Sequence, residues 1–345
     1  MSKRLIQGLV ILLAISTLFV DTYAGGGKRN GTAAAQELMI PVGAKGMALS
    51  GAYLAGITGI DAIYYNPAGV GASNNSAEAM FSYMNYIADI GFAYAAVAMN
   101  FEGFGSLAFS VRSLDFGDIP VTDAANPYGT GATFSPTFVT VGLTYSNALT
   151  DRIRVGFNVN IVSEKIISTS ATGIAFDAGI QYNGVAGVEG LKLGVALKNL
   201  GPQMDWDGPD LLRQAVENDA KRGTQFYKID AASFELPSQL EMGLAYEAKF
   251  SDQFKGIIST MFQNNNFSDD EYRFAGELNF KDMFFVRGGY DYVQEAVGNE
   301  DEFLFGPSFG VGVKLTGSLD IAVDYAYRTV RYFDANHMVT VKLGF

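Results

Sequence analysis

Few residues in this chain have the type and spacing that catalysis needs. Of its 345 residues only His337 is a histidine, and none is a cysteine. A Ser-His-Asp triad or an imidazole-bound metal would therefore have to use His337. That residue opens the last alternating segment of the chain, where a rim position is the simpler reading. Thiolate catalysis, disulfides and Cys-ligated metals are excluded outright. Asp205 and Asp207 flank the single tryptophan, Trp206. Such a pair resembles the two carboxylates of a glycosidase, yet it sits in a long polar stretch, 201–236, expected to form a short helix and a polar lid. The acidic runs "NNNFSDDEY" and "GNEDE" offer oxygen ligands for Ca²⁺ but read more simply as solvated loop tips. No glycine cluster follows a strand and opens a helix, so no phosphate-binding fingerprint is present. The expectation is a protein without catalytic residues, metal or cofactor.

What remains is "DAIYYNPAGVG", residues 61–71, which packs two tyrosines, an asparagine and a proline together and does not alternate. The elements that would position it come from the rest of the chain. In "LDIAVDYAYR", Leu319, Ile321, Val323, Tyr325 and Tyr327 share one parity, with Asp320, Ala322, Asp324, Ala326 and Arg328 on the other. "IRVGFNVNI" and "LKLGVALK" behave alike. Successive side chains of a strand face opposite sides, so each segment has one oily face and one polar or small face.

A soluble sandwich would bury the oily faces together; a transmembrane barrel turns them to lipid. Segments of about 9 to 12 residues suit tilted strands crossing a bilayer. Connections alternate between tight turns and long loops, and the last segment, "HMVTVKLGF", ends on the aromatic Phe345. Strand starts are expected near Glu78, Gly91, Phe104, Pro136, Arg152, Gly173, Leu191, Pro237, Gln253, Glu271, Met283, Phe305, Ser318 and His337. That is an all-β antiparallel barrel of about fourteen strands. Outward Val323 should reject a charge, and the neighbouring inward Asp324 should tolerate substitution far better.

Three segments result. Residues 1–24 carry Lys3 and Arg4, an apolar run from Leu5 to Val20, and small residues Thr22 and Ala24, the pattern of a secretory signal peptide. Residues 25–77 are rich in small residues, as a plug packed in a barrel lumen requires. Residues 78–345 form the barrel. The formal charge of −12 argues against nucleic acid as a partner.

The motifs carry a resemblance. "GAKGMALSGAYLA" followed by "DAIYYNPAGVG" looks like the N-terminal signature of the PorV/PorQ family, relatives of the fatty acid transporter FadL. "RSLDFGDIPVTD", residues 112–123, resembles that family's third strand and following loop. Ser50 stands where glycine is common, and Val70 where leucine is. The resemblance implies a fourteen-stranded barrel with an N-terminal hatch carrying Asn66, Pro67, Ala68 and Gly69, in a structural or gating role. It implies that Phe345 is the assembly signal read by the barrel-assembly machinery of a Gram-negative outer membrane. It implies service in type IX secretion, with secreted cargo and translocon components as partners. FadL itself implies the alternative, transport of a hydrophobic small molecule with a lateral exit.

Overall fold

The structure, a computed structural model, describes residues 29–215, 223–293 and 303–345. The expected signal peptide and the run "GNEDE" lie outside the described residues. Fourteen antiparallel strands close on themselves. They are β1 (Ala77–Asn85), β2 (Gly91–Phe101), β3 (Gly105–Asp115), β4 (Thr137–Ala148), β5 (Ile153–Ile166), β6 (Thr169–Asn183) and β7 (Leu191–Leu200). The second half comprises β8 (Gln239–Lys249), β9 (Phe254–Asn265), β10 (Glu271–Phe280), β11 (Phe284–Val293), β12 (Phe305–Leu315), β13 (Asp320–Val330) and β14 (Asn336–Gly344). Each strand pairs with its sequence neighbours, and β1 pairs with β14 through Ala79 and Leu343 to close the ring. Closure removes the exposed strand edges.

The parity read from sequence is the parity of the wall. Val323, Tyr325 and Val341 are exposed on the outer face, while Asp324, Ala326 and Thr340 are buried on the inner one. Aromatic side chains cluster outside near the strand ends. Phe104 meets Phe101 and Tyr145 at one pair of turns, and Phe254 meets Phe280 at another. Such clusters match the aromatic girdles of membrane barrels. The largest misplacement is β6, which begins at Thr169 rather than near Gly173.

The long stretch between β7 and β8 departs from expectation. Among its described residues the helical content is one turn, Pro209–Leu211, and Leu212–Ala215 pairs with Gln225–Lys228 as a hairpin. The Asp210 carboxylate accepts the Ser168 N–H at 3.0 Å, and Met204 and Phe234 exchange backbone hydrogen bonds. The two ends of the stretch are thereby tied to each other, and Asp210 ties it to the turn between β5 and β6.

Residues 29–76 precede β1 and turn through two short helices, α1 (Ala44–Ala48) and α2 (Ala62–Tyr65), and several 3₁₀ turns. Most of this segment from Ala33 to Val70 is buried, and its partners are inward-facing groups on many strands. Ala44 N–H donates to Thr340 on β14, Ile60 N–H to Glu78 on β1, and the Tyr53 hydroxyl to Glu247 on β8. A segment that touches facing walls of a closed ring by their inner faces lies within that ring.

Candidate functional site

Asn66 anchors the motif. Its preceding helix ends in an extended residue (φ −157°, ψ 103°), as the residue before proline prefers. Pro67 then opens a 3₁₀ turn where its missing N–H costs nothing. The Asn66 side chain is fully buried, and its oxygen and both amide hydrogens are hydrogen-bonded. Oδ1 accepts from Ala68 N–H at 3.2 Å; Nδ2 donates to Leu54 O at 3.3 Å and to Ile180 O on β6 at 3.1 Å. The Ala68 carbonyl accepts from Ser146 Oγ at 2.9 Å, and Gly71 N–H donates to the same hydroxyl. Gln181 on β6 holds the Leu54 and Ile57 carbonyls at 3.0 and 2.9 Å. Side-chain amides on wall and segment thus satisfy loop carbonyls that no regular element would.

The wall makes room for this contact by glycine. A Cβ on Gly179 would strike Asn66 Oδ1, and one on Gly156 would strike the backbone of Pro67 and Ala68. Gly194 faces the Ala55 backbone, Gly243 the Leu54 side chain, Gly289 the Leu49–Ser50 peptide and Gly310 the Ala48 methyl. These six belong to β5, β6, β7, β8, β11 and β12; Gly156, Gly179 and Gly194 lie near the short turns, and Gly243, Gly289 and Gly310 near mid-height. Sequence reasoning found the glycines of the segment but missed those of the wall. The signal was present: in "IRVGFNVNI" and "LKLGVALK" the glycine falls on the inward parity.

Near the short turns the lumen also carries charge. Arg287 Nη1 meets Asp324 at 2.5 Å, and its Nε meets Glu277. Lys342 Nζ joins Asp324 at 3.0 Å to Asp61 of the segment at 2.6 Å. Asp324 is 3% exposed. The expected tolerance of Asp324 is therefore overturned, because an inward position here is a buried ion-pair node and not a wetted pore wall.

Above this layer, toward the long loops, lies a cavity of about 700 Å³ between the segment and the wall. Leu114, Phe116, Phe138, Trp206 and Phe305 supply apolar and aromatic surface. Polar groups share the lining, most of them paired: Lys198 with Glu241 at 3.3 Å, Arg273 with Glu271 at 2.6 Å. Tyr64 of the motif stands in the cavity wall, with Lys198 Nζ 3.9 Å and the Arg112 guanidinium 5.3 Å from its ring centre. Tyr65, edge-on to Tyr64 at 4.8 Å, fills the notches left by Gly46 and Gly51. Arg328 donates to Asn336 Oδ1 at 2.7 and 3.1 Å and lies 3.7 Å from the Phe305 ring centre. No carboxylate among the described residues bridges it.

The wall beside this cavity is interrupted. β11 pairs with β12 only from Phe284 to Gly289. β12 then carries an extra residue at Gly306–Pro307 relative to β13. Tyr290 to Val293 consequently have no ladder partner on β12 among the described residues, and Pro307 has no N–H to give.

The other residues singled out in the sequence lie apart from this cavity. His337 Nδ1 meets the Tyr325 hydroxyl at 2.7 Å on the outer face. Asp207 pairs with Lys228 at 2.7 Å on the surface. Asp270 of "NNNFSDDEY" accepts from Asn264 and the Asn265 N–H, and no group of three metal-ligating side chains occurs among the described residues. Phe345 is exposed and exchanges backbone hydrogen bonds with Ser76 and Ala77 where the ring closes.

Fold and lumen together define a closed fourteen-stranded antiparallel β-barrel of FadL-like fold. The toluene transporter TodX of Pseudomonas putida superposes with a TM-score of 0.54 at 11% identity, covering 86% of this chain and 96% of that one. A FadL homologue of Pseudomonas aeruginosa gives 0.52 at 12%, covering 88% and 98%. No protein-family model matches the chain, and no curated protein sequence does.

Proposed function

We propose that this protein passes hydrophobic compounds across the outer membrane of a Gram-negative bacterium. The observation that carries the reading is the aromatic cavity lying against an interrupted wall. A compound entering from the long loops would meet Phe116, Phe138 and Trp206, then reach the unpaired end of β11 and leave sideways into lipid. The N-terminal segment is the plug that denies it, and water, a straight path through the ring. The superposed TodX, a toluene transporter, supports the choice of cargo class.

Expression in a strain lacking its own carrier tests this. Uptake of long-chain or monoaromatic compounds should be restored. Uptake no better than with empty vector would overturn the reading.

The PorV/PorQ-like motif at residues 43–71 favours a second reading, export or surface attachment of type IX cargo. Deleting the gene should then strand secreted substrates in the periplasm and leave hydrophobic uptake unchanged.

A further inference from the structure

One side of the cavity lacks the charge matching found elsewhere in it. Glu241 has Lys198, while Glu271 and Asp291 share Arg273 at 2.6 and 3.9 Å. Glu37 has only another acid. It is 3% exposed, and neither of its carboxylate oxygens has a partner in ordinary hydrogen-bond geometry among the described residues. Its neighbour Glu164, on β5, is 4% exposed and accepts the Ala35 N–H at 3.1 Å. Arg112, the cation that faces Glu37, directs its N–H groups at the Glu37 and Leu38 carbonyls, 3.2 and 3.5 Å away. Both glutamates line the cavity, as do Tyr64 and Trp206. Burial, then the Glu164 charge, pushes the Glu37 carboxyl up to about 8. Two buried acids side by side disfavour carrying two negative charges at once. A buried carboxyl without a donor, at the edge of a cavity, is suited to accept one from a ligand.

We propose that Glu37 and Glu164 form the head-group subsite for a protonated amine carrying an apolar body. This rests on the passage of hydrophobic compounds proposed above and names one class of them. An ammonium brings three N–H donors and a positive charge. It would supply the positive charge and the donors that the two acids lack, while aromatic faces on the cavity wall receive the apolar body and the edge of the charge. An anionic head would instead be drawn to Arg328, on β13, which stands across the ring from β5.

Trp206, the only tryptophan, reports on the cavity directly. Full-length protein in lipid nanodiscs is titrated with octylamine, octanol and octanoate, which share one chain length. Octylamine should quench Trp206 at concentrations at least about tenfold below octanol, the worth of one charge-assisted hydrogen bond. In Glu37→Gln and in Glu164→Gln that advantage should vanish while octanol binding stays. Each variant must keep the fast mobility of a folded barrel on an unheated gel. Wild type gives an independent check: octyltrimethylammonium, charged but without N–H donors, should bind more weakly than octylamine. Octanoate binding tightest, or an amine advantage that survives both substitutions, would overturn the subsite. Octanol binding without amine preference removes the subsite alone. No saturable response to any of the probes removes the passage reading and the subsite with it.

Discussion

The two halves of the lumen are built on opposite terms. From the short turns up to mid-height the wall yields to the segment: inward glycines let the segment come close, and an ion-pair network spans the remaining gap. Near the long loops the wall stands off, and large aromatic and charged side chains line open space. The first arrangement fixes a segment; the second leaves room for something to enter. A single chain makes both because inward parity is free to carry Gly156 and Gly179 low on a strand and Glu164 or Lys198 high on one. The difference teaches that the inner face of this barrel is read by height as well as by parity.

The ion-pair network offers the largest test of that contrast. Asp324→Ala removes the partner shared by Arg287 and Lys342 and leaves two buried cations poorly matched. A loss of about 3–5 kcal/mol is expected, the usual cost of breaking a buried pair from one side. Val323→Arg, one residue away but facing lipid, should cost about 2–4 kcal/mol if it lies near the bilayer midplane. The temperature at which the fast-migrating gel form disappears ranks the two. An Asp324→Ala barrel as heat-stable as wild type would show that the lower lumen is wet and loosely packed after all.

The glycine contacts come next. Gly179→Ala places a methyl on Asn66 Oδ1 and the Pro67 ring, and overpacking of this kind costs about 1–3 kcal/mol. Gly276→Ala is the control: its nearest new contact is the Ile257 carbonyl at 3.6 Å, an ordinary distance. Equal stability of the two variants would mean that the segment can retreat from the wall, and the contrast between the halves would soften.

Much of the barrel was legible in the sequence, and the reasons are local. Strand parity is written into neighbouring residues, so Val323 outward and Ala326 inward follow from "LDIAVDYAYR" alone. Turns announce themselves, which is why β2, β7 and β10 begin at the expected residues. The lumen is another matter. The cavity joins Glu37 to Glu164, and the network joins Asp61 to Lys342, across separations that no periodicity records. Asp324 looked dispensable because parity says which way a residue points and not what waits there. The 201–236 stretch hid its contacts for a related reason: the bond from Asp210 to the Ser168 N–H joins it to the turn between β5 and β6, and composition records no such partner. Asn66 was identified from its sequence setting; the backbone of Ile180 that it bonds was not foreseeable.

Asn66→Ala sharpens the comparison at one residue. It deprives Ile180 O and Ala68 N–H of their partner, at about 1–3 kcal/mol if water cannot replace it. Liposomes holding the variant should leak small solutes that wild type retains. A stable, sealed variant would assign the sealing to the ion-pair side of the lumen.

The smallest effect belongs to the upper half and to pH. Glu37 lies in the segment, outside the strands, and its carboxyl is pushed from an ordinary value of 4.5 up to about 8, by burial first and by Glu164 second. Between those values the docked segment holds a proton that the undocked chain releases. The docked state therefore binds more protons, and its stability falls as pH rises. It is greatest below about 4.5, declines through the window and levels off above about 8. The groups facing Glu37 set the size. Glu164 adds to the penalty, and Arg112 partly offsets it. The Ala34 N–H bond to the Glu235 carbonyl involves no titrating group. An effect on the order of 1 kcal/mol is expected, confined to residues 33–39. Exchange of the Ala35 amide, which donates to Glu164, reads it directly. After correction for intrinsic exchange chemistry, its protection should drop as pH goes from 5 to 8, by roughly tenfold. In Glu37→Gln the profile should be flat. Protection that is constant or rises with pH in wild type would show that the docked Glu37 holds no such proton, and the upper lumen would then be as fixed as the lower.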